Sequence, residues 1–199
     1  MRTRRELDVS ELPTYAFGPR MTMWWGTLAF CALEGTGFAL AGLAYLYLAW
    51  LNPDWPPGSS PPDLLWSALL TLLLLASAIP NHMAKSAARQ QDLPRVRWLL
   101  LAMSLIGLVL LGLRGLEFTT LNIHWDQNAY GSVVWLLLGL HTAHIATDVA
   151  DTLVLSALMF TRHAKGKRFS DVEDNAVYWD FVVLAWLPIY VLLYWGPRL

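Results

Sequence analysis

A chain of 199 residues with 56% hydrophobic side chains, 15% charged ones and a formal net charge of -1 has the profile of a polytopic helical membrane protein, not of a soluble domain. The length limits it to a handful of spans in one domain, and its basic residues sit in links rather than along one face, which gives no surface for nucleic acid. A single cysteine, Cys31, lies inside an apolar run, which excludes a disulfide framework and disfavours a thiolate metal site.

Residues 1–22 read as a polar arm carrying Pro13, Gly18 and Pro19, lying on the membrane surface or extended over a partner. No cleavable leader is expected, because the first apolar run is far longer than the core of a signal peptide. A transmembrane domain follows over residues 23–199, with spans predicted at about 23–50, 64–84, 96–119, 129–160 and 176–195. The first is over-long and is expected to tilt. The link Asn52–Asp63 is rich in proline and glycine, with Asp63 placed to cap the second span. Pro80 marks a kink near the end of that span, and Pro188 lies inside the fifth. Only helices or closed barrels satisfy the backbone in lipid, and these runs suit helices, so the predicted fold is an all-α bundle of five transmembrane helices.

Basic residues set the orientation. Arg2, Arg4, Arg5 and Arg20 precede the first span; Lys85, Arg89, Arg95 and Arg97 surround the second link; Arg162, Lys165, Lys167 and Arg168 follow the fourth span. The opposite links carry none, leaving Arg114 within the third span and Arg198 at the far end. The N-terminus is therefore predicted to be cytoplasmic and the C-terminus outside. Tryptophans agree, with Trp24, Trp25, Trp98 and Trp179 at inner ends, Trp50, Trp66 and Trp195 at outer ends, and Trp186 deep, where packing between helices is expected. Trp24 and Trp25, together with Arg162 and Lys165, are the candidates for lipid-headgroup contact.

The fourth span holds the densest chemistry. His141, His144, Asp148 and Asp151 fall at i, i+3, i+7 and i+10, one stripe of a helix. One charge at the bilayer centre costs about 2.5–3.5 kcal/mol on insertion scales, so this stripe must face protein. Glu34 lies about three turns into the first span, beside Gly35 and Gly37, which permit close helix approach. It reads equally as a carboxyl that binds or relays a proton and as a neutral acid hydrogen-bonded to a neighbouring helix. Arg114 and Glu117, three apart on the third span, are read as a structural ion pair in preference to a functional site. Two histidines three apart do not make a metal or haem site alone, and His82, His124 and His163 lie in loops or at span ends. His141 and His144 are thus read as satisfied interior groups, one of them placed to bond Glu34. Asp180 is expected to cap or to pair with a base of the inner link. No phosphate-binding glycine loop, nucleophile elbow or zinc cysteine pair occurs, so no catalytic residue and no metal site are assigned.

These motifs in order are Glu34 in an apolar first span, GLEF at Gly115–Phe118, NAYGS at Asn128–Ser132, GLHTAH at Gly139–His144 and YWDFV…W…Y…YWG at Tyr178–Gly196. Together they resemble subunit III of haem–copper oxidases, across nearly the whole chain from Trp24 to Gly196. The chain is similar to a short, five-span bacterial type that lacks the family's first two helices. The resemblance implies a multi-pass protein of the bacterial cytoplasmic membrane that binds no haem or copper itself. Those cofactors are held by partner subunits, with direct packing on subunit I and with subunit II in the same complex. It further implies a phospholipid cleft and a role in keeping proton uptake and turnover stable. Glu34 then matches the family's carbodiimide-reactive glutamate, Glu117 the glutamate closing the next helix but one, and His141 and His144 the paired histidines. There are departures: Leu33 stands for the usual serine, Asp148 for a glycine, and Tyr178-Trp179-Asp180-Phe181-Val182-Val183 for the usual YWHFVD. Asp148, Asp151 and Asp180 are therefore candidates for altered contacts with a partner, and Glu34, His141, His144, Glu117 and Arg114 are expected to form a buried polar cluster that fixes the bundle. The resulting expectation is an accessory, non-catalytic subunit of a proton-pumping terminal oxidase. The alternatives are an accessory protein of the same fold serving nitric oxide reductase and, ranked last, a small proton or solute transporter, which would show inverted repeats or broken helices at the midplane.

Overall fold

The computed structural model describes residues 22–58, 60–161, 164 and 167–198. The N-terminal arm, Arg162 and Lys165 lie outside the described residues. Five α-helices follow one another: α1 (Thr22–Leu51), α2 (Leu64–Arg89), α3 (Leu93–Thr119), α4 (Ala129–Met159) and α5 (Lys167–Tyr190), the last continuing through a π-type turn (Val191–Trp195) and a 3-10 turn (Gly196–Arg198). All five are long and apolar enough to cross a membrane. No strand occurs among the described residues.

Helix ends follow local chemistry. Asn128 caps α4 through its side-chain oxygen, which accepts from Gly131 N at 2.8 Å, and Asp92 caps α3 by accepting from Arg95 N at 3.3 Å, with Pro94 in the first turn. Asp63 takes the cap position of α2 with an extended backbone, but its side chain makes no capping bond. Instead the Ser67 hydroxyl donates to the Leu64 carbonyl at 3.0 Å. Two helices run past the apolar stretches. α2 continues to Arg89, and α5 begins at Lys167, nine residues before the apolar run. The polar first turns of α5 stay helical because Phe169 and Val172 pack into a satellite core with Ala87, Ala88, Val96, Leu100, Leu155 and Met159. Pro188 removes one N–H from the α5 ladder, and the wider π-type turn starts three residues later, at Val191.

The packing is a four-helix ring, α2 against α3, α3 against α4, α4 against α5 and α5 back against α2, with α1 laid in the groove between α4 and α5. Burial ranks the helices accordingly: half of the most apolar window of α4 is buried, against 6% of that of α1. α4 is thus the helix best able to carry ionisable groups, and α1 presents most of its surface, including Leu33, Leu40, Leu43 and Tyr47, outward. The main core runs through Leu70, Leu110, Val134, Leu137, Leu138, Val182 and Leu193.

Two tryptophans pin α5 to α2 from inside the ring. Trp186 Nε1 donates to Thr71 Oγ1 and Trp179 Nε1 to Ser77 Oγ, each at 2.8 Å. Trp186 was expected at depth. Trp179 was expected in the interfacial belt, and is instead 1% exposed. Trp179 lies on the face of α5 that meets α2, where its N–H finds the Ser77 hydroxyl. Trp50 and Trp98, at 80% and 73% exposed, remain outward.

Candidate functional site

The polar side chains between the helices form three groups. At the centre, Arg114 Nη1 meets Glu117 Oε2 at 2.6 Å, one helical turn away on α3 and with both side chains 1% exposed. Arg114 Nη2 donates to His141 Nδ1 at 2.9 Å, and its guanidinium lies 4.2 Å from the Trp186 ring centroid. Glu117 accepts a second bond from the Tyr194 hydroxyl. His141 Nε2 donates to the Val182 carbonyl at 3.1 Å, so the ring accepts at Nδ1 and donates at Nε2. Both ring nitrogens are occupied by protein partners, which leaves His141 no lone pair to offer a metal. The π-type turn after Pro188 sets the position of Tyr194, and α3, α4 and α5 are cross-linked through these four side chains.

One turn along α4, His144 Nδ1 donates to its own helix at Leu140 O, 2.7 Å, and Nε2 lies 2.9 Å from Glu34 Oε2 on α1. With Nδ1–H given to a carbonyl, this second contact requires one proton between the two residues, on the ring or on the carboxyl. Phe38 separates this pair from the central group, its centroid 4.8 Å from His144 and 6.2 Å from His141. The five residues expected to cluster are therefore all at helix interfaces but divide into two sets, because residues three apart on a helix point about 60° apart: His141 turns to α3 and α5, His144 to α1.

The third group lies nearer the end of the bundle that carries the α2–α3 link, hereafter the basic end. Asp148 and Asp151 share the Asn175 side-chain amide of α5, whose Nδ2 donates to them at 3.3 and 3.2 Å, and Thr152 Oγ1 lies 3.5 Å from Asp148. Asp148 is 2% exposed, whereas Asp151 reaches the surface. Both line an open crevice of about 720 Å³ between α1, α4 and α5, walled on α1 by Met23, Gly26, Thr27 and Phe30. Trp24 is half-buried in the first turn of α1, beside an exposed Trp25 that meets it edge-on at 4.9 Å. Asp180 lies outside this group. It accepts from Asn81 Nδ2 at 2.8 Å and pairs with Lys85 at 3.2 Å, so it ties α5 to α2 within the chain. Asn81, Asn175 and Tyr194 join these contacts as neutral amides and a phenol, side chains that carry no charge pattern in the sequence. Among the described residues no three His, Cys, Asp or Glu side chains converge as metal ligands would.

Such an architecture defines an integral membrane protein whose buried charges are spent on holding helices together. Residues 49–197 match the family described as cytochrome c oxidase subunit III. The chain is 27% identical over 175 residues to cytochrome c oxidase subunit 3 of Thermostichus vulcanus, covering 85% of each protein. It is 26% identical over 197 residues to that of Synechocystis, covering 95% of this chain and 83% of the relative. Against the Arabidopsis thaliana subunit the 28% identity spans 71% of this chain and 54% of the plant protein. The chain belongs to the cytochrome c oxidase subunit III family, the haem–copper oxidase subunit III group.

Proposed function

We propose that this chain is the accessory, non-catalytic subunit III of a proton-pumping haem–copper terminal oxidase, seated in a bacterial cytoplasmic membrane with its N-terminus on the cytoplasmic side. Haem and copper belong to partner subunits, subunit I being the direct neighbour, and this chain keeps the catalytic subunit, its bound phospholipid and its proton uptake intact during turnover. The observation that carries the reading is how the buried ionisable groups are used: Arg114, Glu117 and His141 satisfy one another across α3 and α4, and Glu34 and His144 join α1 to α4. Groups so occupied serve a scaffold better than a reaction. The orientation is supported by Lys85, Arg89, Arg95 and Arg97 around the α2–α3 link, against no basic residue in the α1–α2 and α3–α4 links. Lipid contact is supported by the apolar wall of the crevice and by Trp24 and Trp25 at its end of α1.

The test is to purify the complex through a tag on this chain and then to delete the chain. Haem- and copper-bearing subunits that reduce oxygen should co-purify. The complex lacking this chain should keep its haem spectrum and initial rate but inactivate several-fold faster over repeated turnovers. A complex that reduces nitric oxide and not oxygen would move the chain to the alternative respiratory enzyme, and a haem spectrum on the isolated chain would overturn the accessory role.

A further inference from the structure

α1 is held along part of its length only. Its buried residues are Cys31, Phe38, Ala41 and Tyr45, so none falls in the stretch from Thr22 to Phe30. From Glu34 onward the helix is fixed at successive turns. Glu34 bonds His144, a Cβ on Gly35 would meet the Phe181 ring at 3.7 Å, and Phe38 sits among His141, His144 and Phe181. Towards the far end Tyr45 meets Trp55 of the α1–α2 link edge-on at 5.3 Å, and Trp55 meets Tyr130 of α4 in the same way at 5.0 Å. That link is itself tied down: Asn128 Nδ2 donates to the Pro57 carbonyl at 3.2 Å and Arg198 Nη2 to the Pro62 carbonyl at 2.6 Å.

The first part of α1 borders open space instead. Met23, Gly26, Thr27 and Phe30 form the α1 wall of the crevice, whose α4 wall includes Val154, Leu155 and Leu158. Phe30, next to the held part, lies 5.8 Å from the Tyr178 ring of α5. A segment with so few buried contacts belongs to the least stable end of a fold. Between the two parts the sequence reads Leu33-Glu34-Gly35-Thr36-Gly37, which weakens the helix where the holding begins. The Thr36 hydroxyl donates to the Leu33 carbonyl at 2.6 Å, a back-bond that competes with the helix ladder and bends helices. Glycines flank it on both sides, and glycine inside a helix gives the backbone freedom. A Cβ on Gly37 would meet nothing within 4 Å, so close packing is not what that position serves.

We propose that Leu33–Gly37 is a hinge, and that the stretch from Thr22 to Phe30 is a movable wall which widens and narrows the α1–α4–α5 crevice while the rest of α1 stays clamped. Narrowing brings Met23 and Phe30 towards Val154 and Leu155 and covers Asp148 and Asp151. Widening opens both acids to molecules of the bilayer. Access is set by α1 and not by α4 or α5, because those two helices belong to the packed ring.

The experiment places nitroxide pairs on the full chain in lipid nanodiscs, in a Cys31→Ser background, and reads their distance distributions by pulsed electron spin resonance. One pair, Ala29→Cys with Leu153→Cys, joins the movable wall to α4. The other, Tyr47→Cys with Leu136→Cys, joins the clamped part of α1 to α4, and all four positions are exposed. The distribution of the first pair should be at least about twofold broader than that of the second. Gly35→Ala with Gly37→Ala, which the space around both glycines admits, should narrow it to the clamped width. Equal widths for the two pairs overturn the movable wall. A first pair whose breadth the alanine variant leaves unchanged overturns the hinge. If that variant does not accumulate, Thr36→Val, which removes the back-bonding hydroxyl, takes its place; narrowing is again expected, and unchanged breadth again overturns the hinge.

Discussion

His144 Nε2 lies 2.9 Å from Glu34 Oε2, a side-chain hydrogen bond that joins α1 to α4. It matters more than its length suggests, because α1 buries little of its most apolar window and otherwise relies on apolar contact that lipid also offers. Glu34→Ala is expected to destabilise the helical fold by about 1 kcal/mol and to loosen α1 selectively, while Glu34→Gln, whose side-chain amide N–H can donate to the ring Nε2, restores most of the loss. Unfolding in a denaturing-detergent titration gives the free energy, and hydrogen exchange of α1 amides gives the selectivity. Equal protection of α1 in Glu34→Ala and the unchanged chain would sink the assignment of this bond as the tether.

Arg114 and Glu117 stand at the opposite extreme, with both side chains 1% exposed and each bonded again to another helix. Removing one member leaves the other as a buried charge without a partner, so Arg114→Met is expected to cost about 3–5 kcal/mol. Tyr194→Phe removes one bond to Glu117 and leaves Arg114 in place, so about 1–3 kcal/mol is expected. The informative variant is Arg114→Met with Glu117→Gln, which removes both charges and should be closer in stability to the unchanged chain than Arg114→Met alone. The same detergent titration decides it. A double variant as unstable as the sum of its parts would show that the two charges are not compensating each other.

How much of this was legible beforehand depends on which interactions are local. The five helices follow from apolar runs that no soluble fold can bury, and Arg114–Glu117 follows from a spacing of three on one helix. What needed the structure was neighbourhood. The start of α5 at Lys167 is hidden because the SDVEDN stretch is polar, and its helicity comes from Phe169 and Val172 packing against α2, α3 and α4. Trp179 reads as a belt residue in the sequence because its burial depends on α2 lying beside α5 and offering Ser77 to its N–H. The separation of His141 from His144 depends on which helices flank α4, and Asn175 matters only because α5 brings its amide to two acids on another helix.

Gly107 sets how closely α3 and α4 approach, since a Cβ there collides with the Val149 side chain. Gly107→Ala is expected to cost about 1–3 kcal/mol as overpacking. Because the obstacle is a side-chain methyl and not backbone, Val149→Ala should relieve it, giving a coupling of at least about 0.5 kcal/mol in a double-mutant cycle. Gly131 differs in kind. Its added Cβ meets the backbone carbonyl of His124 and, at 3.0 Å, Ile123 Cγ1, so truncating Ile123 should rescue Gly131→Ala poorly. Comparable rescue at both glycines would contradict this distinction.

At the basic end, two bonds to Asp180 differ in worth although they share an acceptor. Lys85 meets it at 3.2 Å with side chains 19% and 44% exposed, a geometry in which ion pairs contribute about 0–1 kcal/mol and weaken with salt. Asn81 is 3% exposed and donates both to Asp180 Oδ1 and, at 2.9 Å, to the Ala176 carbonyl, so it links the side chain and the backbone of α5 to α2. Asn81→Ala strips the Ala176 carbonyl and the partly exposed Asp180 carboxylate of a buried donor and is expected to cost about 1–2 kcal/mol, with little dependence on ionic strength. Lys85→Met is expected to cost less than about 1 kcal/mol at low salt and nearly nothing at 1 M salt, where screening acts within ~3 Å. The comparison also bears on Asp180 as a partner contact: with Asn81 and Lys85 both bonded to it, its polar capacity is largely used inside the chain. Asp180→Asn should therefore lower the stability of the chain more than its retention of haem-bearing subunits. An Asp180→Asn chain that keeps its stability but loses those subunits would instead make Asp180 a partner contact.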